Sequence, residues 1–244
     1  MCLRSARIRL ASLFVIAILG GVRTASAAPV CAGALLLNPG DTVVMGAGAF
    51  GDCTGTTVPS VLLASNAAPF TTSTGFDSGV LISAVYQETG SGTLDFYYQV
   101  VLNTTSTNCQ PAGPTCDPIA RETNINFNNA GPWTTWAATR GDAVDVFSAG
   151  TVFPITADRN AAGGVIGFSF SPPDGAKIQP GQTSAILIVS TNATHYTLGF
   201  SSVIDGGVTT VASFEPAAVP EPASLALLGG GLVLLARARR RVGR

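Results

Sequence analysis

The sequence predicts an all-β protein, an antiparallel β-sandwich of jelly-roll-like or similar form, flanked by a removable segment at each end. Three observations carry that expectation. From Pro29 to about Ala218 the chain is rich in Gly, Thr, Ser and Val and nearly free of helical periodicity. Between residues 92 and 104, Leu94, Phe96, Tyr98, Val100 and Leu102 alternate with Asp95, Tyr97, Gln99 and Asn103, the two-residue period of a half-buried strand. Turn-forming clusters then recur at short intervals: Asn38-Pro39-Gly40, Ser171-Pro172-Pro173-Asp174-Gly175, Gln179-Pro180-Gly181-Gln182 and Asp205-Gly206-Gly207.

Taken in chain order, strands are expected at 42–45, 58–65, 79–88, 92–104, 119–127, 143–148, 165–171, 183–191, 196–204 and 208–214. The link Thr89-Gly90-Ser91-Gly92 has hairpin turn chemistry, so the third and fourth of these should pair. About ten short strands suit a two-sheet sandwich, with a closed barrel as the alternative. A solenoid does not fit, because the chain shows no internal repeat.

The front end carries Arg4, Arg7 and Arg9 ahead of an apolar run at 10–22, which is too short to span a bilayer stably. Ala25 and Ala27 supply the small residues that signal peptidase accepts before its cut. Residues 1–27 therefore read as a secretory signal peptide, and the exported chain begins at Ala28. A lipoprotein reading of Cys31 fails, since Ala28-Pro29-Val30 lacks the small residue needed just before the cysteine.

Cys2 leaves with the leader, so the exported part keeps Cys31, Cys53, Cys109 and Cys116. An even set in an exported domain reads as disulfides. Of the three connectivities, the expected one is local, Cys31 with Cys53 and Cys109 with Cys116. Zinc fits poorly: the spacing is not CxxC, and His195 is the only histidine.

The overall net charge of −1 hides an asymmetry. Nine of the thirteen basic residues lie in the terminal segments, leaving Arg121, Arg140, Arg159 and Lys177 against thirteen acidic residues between Asp41 and Glu215, a net charge of −9. Such a domain repels phosphate backbones, which excludes nucleic acid as a partner.

At the back end, Pro220, Glu221 and Pro222 place one carboxylate in an extended backbone, because each proline fixes its own φ and keeps the preceding residue out of the helical region. The chain is then uncharged from Ala223 to Ala236, about 14 residues and 21 Å as a helix. Arg237, Arg239, Arg240 and Arg241 follow. The positive-inside rule keeps those arginines cytoplasmic and presents Pro-Glu-Pro across the inner membrane. Val219-Pro220-Glu221-Pro222, the apolar run and the arginine cluster together resemble the PEP-CTERM sorting signal of Gram-negative bacteria. The resemblance covers residues 219–244 and implies recognition by an exosortase, removal of the tail, and release to the outer surface or an exopolysaccharide biofilm matrix. Residues 28–218 then form the exported β domain.

That domain offers little readable catalytic chemistry. His195 has no local serine or cysteine motif to act with. Asp77-Ser78-Gly79 is similar to the aspartic-protease triplet, but such enzymes need two, and a turn before a strand accounts for it. Asp142, Asp145, Asp158, Asp174 and Asp205 sit near turns, where exported sandwiches can hold Ca2+; solvated loops fit them better, and no cofactor is expected. Trp133 and Trp136, with Tyr97, offer apolar faces for stacking on sugar rings, although a spacing of three puts the two indoles on opposite sides of a strand. The leading expectation is a non-enzymatic envelope or matrix protein. An exopolysaccharide-binding module and a hydrolase with an unrecognised site are the alternatives.

Overall fold

The computed structural model describes residues 30–48, 50–57, 60–73, 75–104, 118–128 and 133–217. The leader with Ala25 and Ala27, the pair Cys109 and Cys116, and the sorting segment with Pro220, Glu221, Pro222, Arg237, Arg239, Arg240 and Arg241 lie outside the described residues.

Twelve strands form in chain order among the described residues: β1 (Leu35–Leu36), β2 (Thr42–Val44), β3 (Ser60–Thr71), β4 (Ser78–Glu88), β5 (Leu94–Leu102), β6 (Arg121–Asn124), β7 (Thr135–Arg140), β8 (Thr156–Arg159), β9 (Ile166–Ser169), β10 (Ile186–Thr191), β11 (Tyr196–Ile204) and β12 (Val208–Pro216). They make two six-stranded sheets, ordered β1-β7-β10-β5-β4-β3 and β12-β11-β6-β9-β8-β2. Every named strand pair is antiparallel. The fold is thus an all-β sandwich, as the alternating pattern predicts.

The inner faces meet in one apolar core. Leu81 and Val85 of β4, Phe96, Tyr98 and Val100 of β5, and Leu187 and Val189 of β10 come from the first sheet; Ala157, Ile166, Phe168 and Val203 come from the second. Phe96 meets Phe127 edge to face at 5.5 Å, a favoured ring geometry. Along one side, β3 of the first sheet and β12 of the second are stitched by side chains: Asn66 Nδ2 donates to the Ala212 carbonyl (3.0 Å) and Thr209 Oγ1 to the Thr71 carbonyl (2.9 Å). Tyr98 crosses the core to donate to the Phe214 carbonyl at 2.8 Å.

Several sequence expectations need correction. β5 is not half-buried: Asp95, Tyr97 and Gln99, on the face away from the main core, are 0%, 1% and 0% exposed. A second apolar cluster covers that outer face, with Val30, Cys31, Ala34 and Cys53 from the N-terminal segment and Phe147 from a loop over Tyr86, Tyr97, Ile186 and Ile188. A disulfide between Cys31 and Cys53 (Cα–Cα 5.8 Å) staples this cover. The expected strand at 143–148 is a tight turn, in which Val144 and Phe147 exchange backbone hydrogen bonds and Asp145 takes a φ of 47°. β3 runs on to Thr71 through Asn66 and Pro69; as an outermost strand it tolerates a proline that lacks the ladder N–H. β1, β7 and β8 were not expected. β7 reads Thr-Trp-Ala-Ala-Thr-Arg, and its place between β1 and β10 outweighs its modest strand propensity.

Candidate functional site

The end of the sandwich that hands over to the sorting segment is set by β12. It pairs along its whole length with β11, from Ile204 with Val208 to Tyr196 with Pro216. The Ala217 N–H then donates to the His195 carbonyl at 2.9 Å, so the backbone is held to the last described residue. His195 itself is exposed at this strand edge, with Nδ1 3.0 Å from Thr194 Oγ1.

A cleft of about 280 Å³ opens between the Cys53–Thr57 loop and the start of the 141–150 loop, lined by Gly55, Thr56, Thr57, Arg140, Asp142 and Val144. Arg140 closes β7 and forks onto Asp142, with Nε to Oδ1 at 2.8 Å and Nη2 to Oδ2 at 2.6 Å. The Gly55 N–H donates to the same carboxylate at 3.2 Å. The guanidinium hydrogen bonds hold the Asp142 carboxyl below its ordinary range. A carboxylate so stabilised is a poor proton acceptor.

The acidic residues near turns find partners within the fold. Arg121 reaches Asp158 through two hydrogen bonds, 2.5 and 2.8 Å, and passes over Gly167, where a Cβ would collide with its guanidinium. Lys177 pairs with Asp174 at 2.8 Å. Asp205 accepts from the Ser73 N–H and hydroxyl at 2.8 and 2.7 Å. Among the described residues, no group of three or more His, Cys, Asp or Glu side chains is placed to hold a metal ion. The Asp77-Ser78-Gly79 triplet lies where the β3–β4 turn enters β4: the Thr72 N–H and hydroxyl both donate to the Asp77 carbonyl, at 2.9 and 3.1 Å.

The aromatic candidates separate. Tyr97 is sealed beneath Tyr86 and Phe147, with ring centroids at 4.4 and 6.0 Å, and presents no face to a sugar. Trp136 lies half-buried on β7 against the second apolar cluster. Trp133 is also half-buried, but it precedes β7, so the two-residue period does not govern its direction. Both indole nitrogens are buried without a hydrogen-bond partner.

The structure also brings together polar groups that the sequence did not single out. Arg159 is 4% exposed and donates to the carbonyls of Gly163, Leu37, Trp133 and Phe127 and to Thr135 Oγ1, at 2.9 to 3.3 Å. It ties four chain segments at one corner. Glu122 is fully buried between the sheets, where Asn124 Nδ2 donates to it at 3.0 Å. Burial raises its carboxyl to about 8, against the pull of that hydrogen bond and of Arg121. Burial and the nearby Glu88 charge raise Asp95 to about 8 as well. Burial favours the neutral form of both, which lets an uncharged carboxyl occupy a core position. No motif signals them: an acidic residue on an alternating strand reads as solvent-facing.

Searches of curated proteins and of solved structures return no match to this chain. Residues 218–241 match the family model described as the PEP-CTERM protein-sorting motif. The chain therefore carries a PEP-CTERM protein-sorting motif that begins directly after the last described residue of its β-sandwich.

Proposed function

We propose that this chain is an exported, non-enzymatic envelope or extracellular-matrix protein with a structural or adhesive role. Signal peptidase removes residues 1–27, the C-terminal segment enters the inner membrane transiently, and an exosortase removes the tail near Pro220, Glu221 and Pro222. The domain then passes to the outer surface or the surrounding matrix, with exopolysaccharide as a neighbour there. The observation that carries the reading is the sorting-motif match at 218–241, immediately after a strand that ends the sandwich at Pro216. β12 is paired with β11 up to Pro216, so the domain is closed by its own C-terminal strand before the motif begins. The engagement of Asp142, Asp158, Asp174 and Asp205 with partners of the same domain supports a scaffold more than a catalyst.

The test is the Glu221→Ala chain expressed in a cell that makes the exosortase. The expected outcome is accumulation in the membrane fraction at the expense of released protein. Release equal to that of the unaltered chain would remove the motif from the mechanism.

A further inference from the structure

Where the sorting segment leaves the domain, the sandwich ends in an apolar rim. β12 delivers the chain at Pro216, opposite Tyr196 of β11. Two residues along β11, Leu198 is 68% exposed. β3 runs antiparallel to β12, since Asn66 meets Ala212 while Thr71 meets Thr209. The first residues of β3 therefore lie at the end where β12 finishes. These are Val61, Leu62 and Leu63, three consecutive apolar side chains that are 54%, 36% and 41% exposed beside a bulge in the β3–β4 ladder.

Few charges interrupt this end. Across 60–63, 88–93, 192–198 and 216–217 there is no lysine or arginine, and Glu88 is the one carboxylate. Its Oε2 accepts from Ser91 and Thr93 at 2.6 and 3.0 Å. An exposed apolar cluster at a chain exit needs a reason.

Chain length supplies one. Five residues, 218–222, stand between Ala217, pinned to His195, and Ala223, where the uncharged run begins, a reach of about 22 Å even when fully extended. A segment held in the membrane from Ala223 onward keeps this end within roughly that distance of the lipid headgroups. At so short a tether the effective concentration of membrane surface around the rim is high, and no comparable tether brings up a second copy. A second copy also carries the same net negative charge in its domain, whereas a zwitterionic surface does not repel it.

We propose that Leu62, Leu63 and Leu198 rest in the interface of the membrane that holds the sorting segment, contacting zwitterionic phospholipid through apolar insertion. The contact orients the domain with β12 directed at the bilayer and the β11–β12 turn, Asp205 to Gly207, away from it. The proposal rests on the reading of residues 219–244 as a membrane-inserted segment. Apolar contact of this size is weak alone, so it lasts while the tail anchors the chain and is lost when the tail is cut.

The experiment uses the full chain reconstituted into phosphatidylcholine vesicles with brominated acyl chains, which quench tryptophan only on contact. Leu198→Trp and Leu62→Trp report the rim, and Val208→Trp, 63% exposed at the opposite end of β12, reports the far side. The unsubstituted chain supplies the background from Trp133 and Trp136. The expected result is loss of the added fluorescence at both rim positions and no loss at position 208. Chains that float with the vesicles but keep rim fluorescence overturn the proposal and leave the anchoring reading intact. Equal quenching at all three positions also overturns it. Chains that fail to float at all contradict the anchoring reading, and the proposal with it.

Discussion

On the first sheet, Asp95, Tyr97 and Gln99 of β5 point away from the main core and are nonetheless buried. On the second, Leu198 and Phe200 of β11 also point outward; they are apolar, yet 68% and 54% exposed. Side-chain polarity alone assigns these two outer faces the wrong way round. What decides is the cover. The N-terminal segment, stapled by Cys31–Cys53, and the loop carrying Phe147 close over β4, β5 and β10, while Leu198, Phe200 and Val208 of β11 and β12 stay exposed.

The comparison breaks most directly at paired positions. Tyr97→Ala removes a ring packed on Tyr86 and Phe147 and should cost about 3–5 kcal/mol, the usual range for a buried aromatic. Phe200→Ala, on the open face, should stay within about 0.5 kcal/mol. Urea unfolding midpoints measure both, and equal costs would show that the two faces are alike. Next in size is the staple. Replacing Cys31 and Cys53 together by alanine opens a loop with a sequence separation of 22, which corresponds to about 3 kcal/mol. The same variant should expose Tyr97 and Phe147, seen as increased binding of an apolar dye.

The comparison also sharpens by pH. Asp95 lies under the cover and Glu122 between the sheets, each raised to about 8. A carboxyl raised in the folded state holds its proton there while the unfolded chain releases it. Stability from these two is complete below about pH 4 and falls as pH rises toward 8. Asp52 and Asp142, whose carboxyls are lowered, act oppositely and only at more acidic pH. The domain should therefore melt at a higher temperature at pH 5 than at pH 8. Glu122→Gln and Asp95→Asn should each flatten that slope, and a melting temperature that rises between pH 5 and 8 would contradict it.

Much of the sandwich is legible in the sequence where β-branched and aromatic residues alternate between strong turn clusters, as in β4, β5, β11 and β12. β1 and β8 are legible only through their partners: Leu35 with Ala137, and Thr156–Arg159 held between β2 and β9. Too short to show a period, they exist because a sheet was there to extend. Arg159 left no local mark either, because its five hydrogen-bond acceptors come from segments between Leu37 and Gly163. The sorting tail is the reverse case. Its information is linear, three parts in order within residues 219–244, and it needs no tertiary contact to be recognised. The cleft at Arg140 and Asp142 had no such signature, since two loops distant in sequence build it.

Processing is the claim on which the rest depends. Intact mass measured on the protein from the medium and from the membrane fraction of a cell making the exosortase tests it directly. The account predicts a released form that begins at Ala28 and lacks the Arg237 to Arg241 cluster, with the longer form confined to the membrane. A chain still ending at Arg244 in both fractions would contradict it.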